Sequence, residues 1–298
     1  MSASIPAIVP LAPESWGDYE LLDSGEEAKL ERFGPYTLVR PEKAAIWRRA
    51  LPARRWQDAD AIFDQSEKGE GEWTRRRPIP ERWLMRYGDL SFWARLTPFR
   101  HTGVFPEQSP HWDWIGRQVR QAGRPVSVLN LFAYTGIATL AAAAAGASVV
   151  HLDASKPTIA WAKENATASG LADRPIRWLL DDALKFVRRE QRRGRRYDAV
   201  IMDPPVFGRG PKGELWRFAK SFPLLLEACR AILCEQPLFV LVTGYAIEDS
   251  ALTLFNLMEE LMAGRRGRTS VGELVLLDAA ARRPLSLAIY ARWAREEA

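Results

Sequence analysis

From Val126 onward, apolar residues gather in short runs divided by longer segments of mixed character. The runs Val126–Phe132, Ser148–Leu152, Ile176–Leu180, Ala199–Met202 and Leu238–Val242 have the length of buried strands. Between them lie segments of helical length. Ile137–Ala145 is alanine-rich and stopped by Gly146, Lys156–Ser169 is stopped by Gly170, and a third segment runs through Arg193 to Gly194. Phe218–Leu233 and Ala251–Ala263 read as two more helices. Strands alternating with such helices imply βαβ units and therefore a parallel sheet. The last two runs, Glu273–Leu277 and Ser286–Trp293, break that rule, because only the short polar link Asp278–Pro284 joins them. A link of that length suits an antiparallel hairpin. The pattern predicts an α/β chain with five parallel strands closed by a C-terminal hairpin.

The first 110 or so residues follow a different pattern. Tyr19–Gly25, Lys29–Gly34 and Tyr36–Arg40 are short strand-like pieces punctuated by glycine, and Trp83–Tyr87 with Leu90–Leu96 reads as a hairpin around Gly88-Asp89. Gln65–Arg77 is polar and glycine-bearing and reads as a loop. Tryptophan is dense here: Trp16, Trp47, Trp56, Trp73, Trp83 and Trp93, followed by Trp112 and Trp114. Beside arginine it can stack on bases, although filling the core of a small sheet is the commoner use. The predicted division is a small β-rich accessory or substrate-recognition domain over 1–110 and an α/β domain over 111–298.

Composition narrows the setting. With 298 residues, 47% of them hydrophobic, the chain can bury a real core. No run approaches the roughly 18 apolar residues that span a bilayer, and the opening residues lack a basic segment and are broken by prolines, unlike a secretory signal. Cys229 and Cys234 suggest no disulfide framework, so a reducing, cytoplasmic setting without membrane attachment is expected. The net charge is only +5, but arginine clusters at Arg188, Arg189, Arg192, Arg193, Arg195 and Arg196. Smaller clusters are Arg75–Arg77 and Arg265-Arg266. Clusters like these suit a polyanion binder and equally suit solvated helix ends.

The candidate chemistry sits where strands end. Asp203-Pro204-Pro205-Val206-Phe207 closes the run Ala199–Met202. Open α/β sheets bind ligands at that edge. Two prolines fix φ and remove two N–H donors, so the segment is a stiff acceptor platform beside a ring. It could hold a planar base by its amino edge. Asn130–Gly136 follows the first strand and carries a single glycine, so it is not a dinucleotide-binding loop. It can still turn sharply around a small zwitterion such as the methionine end of S-adenosylmethionine, with Phe132 and Tyr134 lining it. Asp153 ends the second strand, where an acid can accept from ribose hydroxyls. Asp181-Asp182 follows the third, where a carboxylate can accept from an adenine amino group, Asp182 being favoured because it directly precedes Ala183. Each acid alone could be a helix cap. Acids at three consecutive strand ends beside such a loop are a ligand rim. No metal site is expected.

These residues resemble the S-adenosylmethionine motifs of bacterial ribosomal RNA base methyltransferases, in particular the large-subunit cytosine-C5 group with its DPPxF segment. Thr102–Ser109 is similar to that group's T-G-x-F/Y-x-D-Q-R segment, with Glu107 and Ser109 departing from it. The resemblance implies a Rossmann-like class I methyltransferase fold over about residues 85–295, S-adenosyl-L-methionine as cofactor, and RNA as partner. It also implies a cofactor set of Gln108, Phe132, Tyr134, Thr135, Gly136, Asp153, Ser155, Asp181, Asp182 and Asp203. Cytosine C5 requires a thiolate nucleophile, which in that group follows the fifth strand. Here that place reads Val242-Thr243-Gly244-Tyr245. A base nitrogen is the expected acceptor instead, either an exocyclic amine or a purine ring nitrogen, with Asp203, Pro204, Phe207 and Tyr245 as catalytic residues. The arginine clusters and the N-terminal domain would grip the RNA backbone. The alternatives are a small-molecule or protein methyltransferase, a cytosine-C5 enzyme with a displaced nucleophile, and a binding module without catalysis. A homo-oligomer is left open.

Overall fold

The computed structural model describes residues 5–65, 71–245 and 249–296. They form two compact units, each assembled from separated pieces of chain. The larger comprises Met1–Leu11, His111–Leu274 and Ala288–Ala298, and the smaller Ala12–Pro110 and Val275–Leu287. A single cut near residue 110 therefore assigns 1–11 and 275–287 to the opposite unit from the one in which they lie.

After β1 (Ile8–Leu11), the smaller unit contains β2 (Tyr19–Gly25), β3 (Ala28–Phe33), β4 (Tyr36–Pro41), α1 (Ala53–Gln57), β5 (Ala61–Gln65) and β6 (Gly71–Arg75). Strands β2 to β6 make one sheet in sequence order. β7 (Trp83–Tyr87) and β8 (Leu90–Ala94) form the expected antiparallel hairpin. The predicted loop Gln65–Arg77 instead carries β6, paired antiparallel with β5, while residues 66–70 lie outside those described. β6 is a sheet edge with exposed Glu72, Thr74 and Arg75, and an exposed edge strand is expected to be polar. That is why its composition read as a loop. The tryptophans are structural: Trp16, Trp56 and Trp83 are buried, and Trp47, Trp73 and Trp93 are half-buried. Residues 275–287 join this unit through a buried ionic knot. Arg283 donates to Asp23 and to Asp278, each at 2.8 Å, and the Ser24 hydroxyl donates to Asp278 at 2.9 Å.

The larger unit continues with α2 (Ser109–Gln121), β9 (Ser127–Leu131), α3 (Ile137–Ala144), β10 (Ser148–Asp153), α4 (Lys156–Ala168), β11 (Ile176–Leu180), α5 (Ala183–Arg192) and β12 (Ala199–Met202). Next come β13 (Phe207–Arg209), β14 (Leu215–Arg217), α6 (Phe218–Ile232), β15 (Phe239–Tyr245), α7 (Ala251–Met262), β16 (Arg268–Leu277) and β17 (Pro284–Ala294). Eight strands form one sheet in the order β1-β16-β17-β15-β12-β9-β10-β11. The five strands from β15 to β11 are parallel and β17 runs antiparallel to β15. The eighth strand, β1, was not foreseen. It pairs parallel to β16 with Val9 opposite Gly272, where a Cβ would come 1.7 Å from the Val9 carbonyl oxygen. The glycine permits the close approach, so β1 belongs to this sheet. Helix α2 was also not foreseen. It buries Trp112, Ile115 and Val119, and Ile115 and Val119 join the core beside β9 and β12.

Candidate active site

Strand register brings the predicted acids to one rim. Asp153 lies opposite Leu180, Leu152 opposite Leu131, Leu131 opposite Met202, and Met202 opposite Val242. One residue further along, Asp181, the Phe132 loop and Asp203 leave the same edge, while β15 continues through Thr243 to Tyr245. Neighbouring strands are about 4.8 Å apart, so Asp153 and Asp203 flank the Phe132–Gly136 loop at roughly 10 Å separation.

That loop is held in an uncommon conformation. Phe132, Tyr134 and Gly136 have φ of 56°, 49° and 83°. Left-handed aromatic residues cost about 1–3 kcal/mol each and persist where their surroundings over-determine them. Here the Ala133 N–H donates to the Leu152 carbonyl at 3.1 Å, and the Tyr134 N–H donates to Asp153 Oδ2 at 2.9 Å. Buried Asn165 donates to the Thr135 carbonyl at 2.9 Å. At Gly136 a Cβ would meet the Ala162 Cβ at 2.9 Å and the His151 ring at 3.2 Å, so a side chain is excluded by both space and φ. Asp153 also accepts from the Ser155 N–H at 2.8 Å and the Thr158 hydroxyl at 3.1 Å. It therefore clasps the loop to the start of α4. Burial pushes the Asp153 carboxyl up, against the opposing pull of those hydrogen bonds.

The other predicted cofactor residues divide by task. Ser155 caps α4, accepting from the Thr158 N–H at 3.4 Å. Asp182 caps α5 through the Lys185 N–H at 2.9 Å, while Asp181 accepts from the Asp182 N–H and pairs with Arg189. Gln108 ends the 3-10 turn Pro106–Gln108 in the smaller unit.

On the acceptor side the Asp203 N–H donates to the Leu131 carbonyl at 3.4 Å. The Pro205 carbonyl accepts from Trp216 Nε1 at 2.6 Å, and the Trp216 ring lies 4.8 Å from Phe132. Buried Trp216 thus links the acceptor segment to the cofactor loop. Sequence reading missed it, since β13 and β14 are three residues each, too short to leave a periodic signal. Phe207 is 56% exposed. Tyr245 instead packs against the cluster of Leu274, Ala288 and Tyr290. Strand β15 runs three residues beyond the predicted end and carries Tyr245 into that packing.

The geometry suits a ligand with a polar sugar-and-base half over β10 and β11 and a reactive end between β9 and β12. The family model for S-adenosylmethionine-dependent methyltransferases matches residues 61–260. The chain belongs to that family. Its cofactor is S-adenosylmethionine, and the clasped, glycine-turned loop with acids at the β10 and β11 ends fits that molecule. A crystal structure of an S-adenosylmethionine-dependent methyltransferase from Agrobacterium tumefaciens is 45% identical, covering 99% of this chain and 97% of that one, with a TM-score of 0.93. The structure of SMU.776 with S-adenosylhomocysteine shares the fold at 17% identity, covering 93% of this chain and 75% of that one, with a TM-score of 0.73. Among curated relatives, the ribosomal RNA large subunit methyltransferase K/L of Chromohalobacter salexigens is 31% identical over 204 residues, which cover 63% of this chain. The match spans only 26% of that relative's length.

Both cysteines of the methyltransferase lie away from the rim. Cys229 is buried in α6, where burial pushes its thiol up to about 12. Cys234 lies 3.5 Å from Asp198, just before β12 begins, and its N–H donates to the Tyr197 carbonyl. That is the amino edge of β12, five residues and roughly 17 Å from Asp203 along the strand. Changing both to serine is expected to leave methyl transfer within about threefold of wild type. A complete loss in a folded variant would reinstate a thiol mechanism. The end of the densest arginine cluster lies at this far edge too. α5 starts at the rim with Asp182 and runs back through ten residues, about 15 Å, before Arg195 and Arg196 lead into β12. Arg195 and Arg196 therefore do not stand beside Asp203, while Arg189 reaches back to Asp181 at the rim. No helix among the described residues is long and apolar enough to cross a membrane.

Proposed function

We propose that this methyltransferase modifies a base nitrogen in RNA, with ribosomal RNA as the substrate class. The observation that carries the proposal is an acceptor rim of Asp203, Pro204 and Pro205 without a thiol, Cys229 being buried within α6 and Cys234 lying at the opposite edge of β12. The names of the curated relatives, ribosomal RNA large subunit methyltransferases K/L, support the substrate class. Bound S-adenosylmethionine supplies a methyl group on a positively charged sulfur. An exocyclic amine or a purine ring nitrogen has a lone pair that needs no covalent activation, only alignment.

In this reading Asp203 accepts a hydrogen bond from the base and takes the proton released from an amine, and the Pro204 carbonyl takes the second N–H. Phe207 stacks on the base. The Phe132–Gly136 loop, Thr135 included, holds the methionine end. Asp153 with Ser155 positions the ribose, and Asp181 and Asp182 serve the adenine side. The smaller unit recognises the RNA. A target within a duplex must be flipped out, at a few kcal/mol.

Labelled S-adenosylmethionine, given total RNA from cells lacking the protein, should transfer methyl to ribosomal RNA. Digestion of the product should yield a nitrogen-methylated nucleoside and no 5-methylcytidine. Label entering a metabolite or protein fraction and no RNA would overturn the RNA reading, and 5-methylcytidine would overturn the nitrogen reading.

A further inference from the structure

Next to the acceptor segment stands a two-stranded hairpin that the roles above leave almost unused. β13 and β14 pair antiparallel with Phe207 opposite Arg217, Gly208 opposite Trp216, and Arg209 opposite Leu215. Opposed residues share a face, and alternate residues along a strand share it too. One face therefore carries Gly208 and Trp216, and the other carries Phe207, Arg209, Leu215 and Arg217. The first faces inward: Trp216 is buried, reaches the Pro205 carbonyl and packs on Phe132. The second faces solvent, with Phe207 and Leu215 more than half exposed and both arginines exposed.

On this outer face aromatic and aliphatic groups alternate with guanidinium groups across the ladder. Neither Arg209 nor Arg217 is paired with a carboxylate among the described residues. The acid within the hairpin, Glu214, is turned to Lys185 at 2.6 Å, which leaves the outer face purely cationic. Lys212 at the turn is exposed beside it. The patch measures about 5 Å across the strands and about 7 Å along them, close to the footprint of one nucleotide. A ring flanked by two unneutralised guanidinium groups is the pairing that unpaired nucleotides bind, base on ring and phosphates on arginine. A duplex offers no base face to Phe207 until it opens.

We infer that the outer face of the β13–β14 hairpin holds the single-stranded RNA segment that carries the methylated base, which stacks on Phe207. Arg209 and Arg217 hold the flanking phosphates, and Trp216 on the inner face sets the patch at a fixed distance from Pro205. The far-edge arginines Arg195 and Arg196 are not the element that presents the target. The inference rests on the RNA reading above and goes beyond it by naming the element that discriminates RNA.

The test compares wild type, R209A/R217A and R209K/R217K, with S-adenosylhomocysteine present and a protein-free large-subunit ribosomal RNA transcript as probe. Both arginines are exposed, so the variants should keep the wild-type melting temperature and S-adenosylmethionine affinity. R209A/R217A should bind the transcript at least about tenfold more weakly. Its plot of log affinity against log salt should flatten by about 1.4, the value for two lost phosphate contacts on a single strand. R209K/R217K should recover most of both. Unchanged affinity and slope in R209A/R217A, with wild type methylating RNA, would overturn this inference alone. A wild type that labels a protein or metabolite and no RNA would remove the RNA reading and this inference together.

Discussion

Replacing Asp203 with alanine is expected to lower methyl transfer by about 10²–10⁴-fold, the range for removing a positioned proton acceptor. The dissociation constant for S-adenosylmethionine should move by less than about tenfold. The split follows from where Asp203 stands. Its N–H reaches the Leu131 carbonyl, so its backbone is anchored to β9 whatever the side chain is. The loop that holds the cofactor is clasped by Asp153, Asn165 and Leu152, none of which uses the Asp203 carboxylate. The acceptor platform is stiffened independently, by two prolines and by the Trp216 hydrogen bond to Pro205. Alanine therefore removes the proton acceptor and leaves the scaffold. Asp203→Asn keeps a carbonyl that can orient an amine but accepts a proton poorly, so it should fall between the two. Single-turnover transfer and calorimetric titration of the cofactor check this. A folded Asp203→Ala protein that retains more than about a tenth of wild-type turnover would move the acceptor role elsewhere on the rim.

Mild acid is expected to destabilise the protein steeply. All three histidines are buried or nearly so and held neutral. Burial lowers His151 to about 3. Burial, with Arg40, Arg100 and Lys29 nearby, lowers His101 to about 4. Burial and then Arg292 hold His111 well below the usual histidine range. Hydrogen bonds agree with the neutral form. The Thr139 hydroxyl accepts from Asn130 at 2.9 Å and hydrogen-bonds His151 Nδ1 at 3.0 Å, a contact that either neutral tautomer can make. Arg292 Nε donates to His111 Nδ1 at 2.9 Å, where a ring proton would collide with it.

Unfolded histidine titrates near pH 6.5. Below that the unfolded chain takes up protons that the folded one refuses, so stability is full above pH 6.5 and falls as pH drops toward 4. Each histidine contributes a slope of about 1.4 kcal/mol per pH unit in that window. Three together reach about 4 kcal/mol per unit, against a total stability of roughly 5–15 kcal/mol. The paired acids Glu31, Asp198 and Asp278, whose carboxyls are held low, add loss of the same sign only below about pH 4.5. Urea unfolding between pH 4.5 and 8 should show an uptake of two to three protons near pH 5. His151→Gln should reduce that by about one. A pH-independent unfolding free energy across this range would contradict the neutral assignments.

The parallel core, the C-terminal hairpin and the three rim acids were legible in the chain, because each has a local cause. Apolar runs of strand length between helix-length segments fix the order of elements. In a parallel sheet every strand's last residue must reach the same edge. Asp153, Asp181 and Asp203 could thus be placed on one rim without a structure. The missing thiol after the fifth strand was equally plain, since it needs only the residues Val242–Tyr245. Pairing between distant segments leaves no such local trace. Only the tertiary structure joined β1 to β16 across some 260 residues and gave 275–287 to the smaller unit through Arg283 and Asp278. It also put Cys234 and the end of the arginine cluster at the edge opposite Asp203. The docking of Trp216 against Pro205 and Phe132 was likewise decided by the fold, since a three-residue strand has too few positions to announce which face it buries.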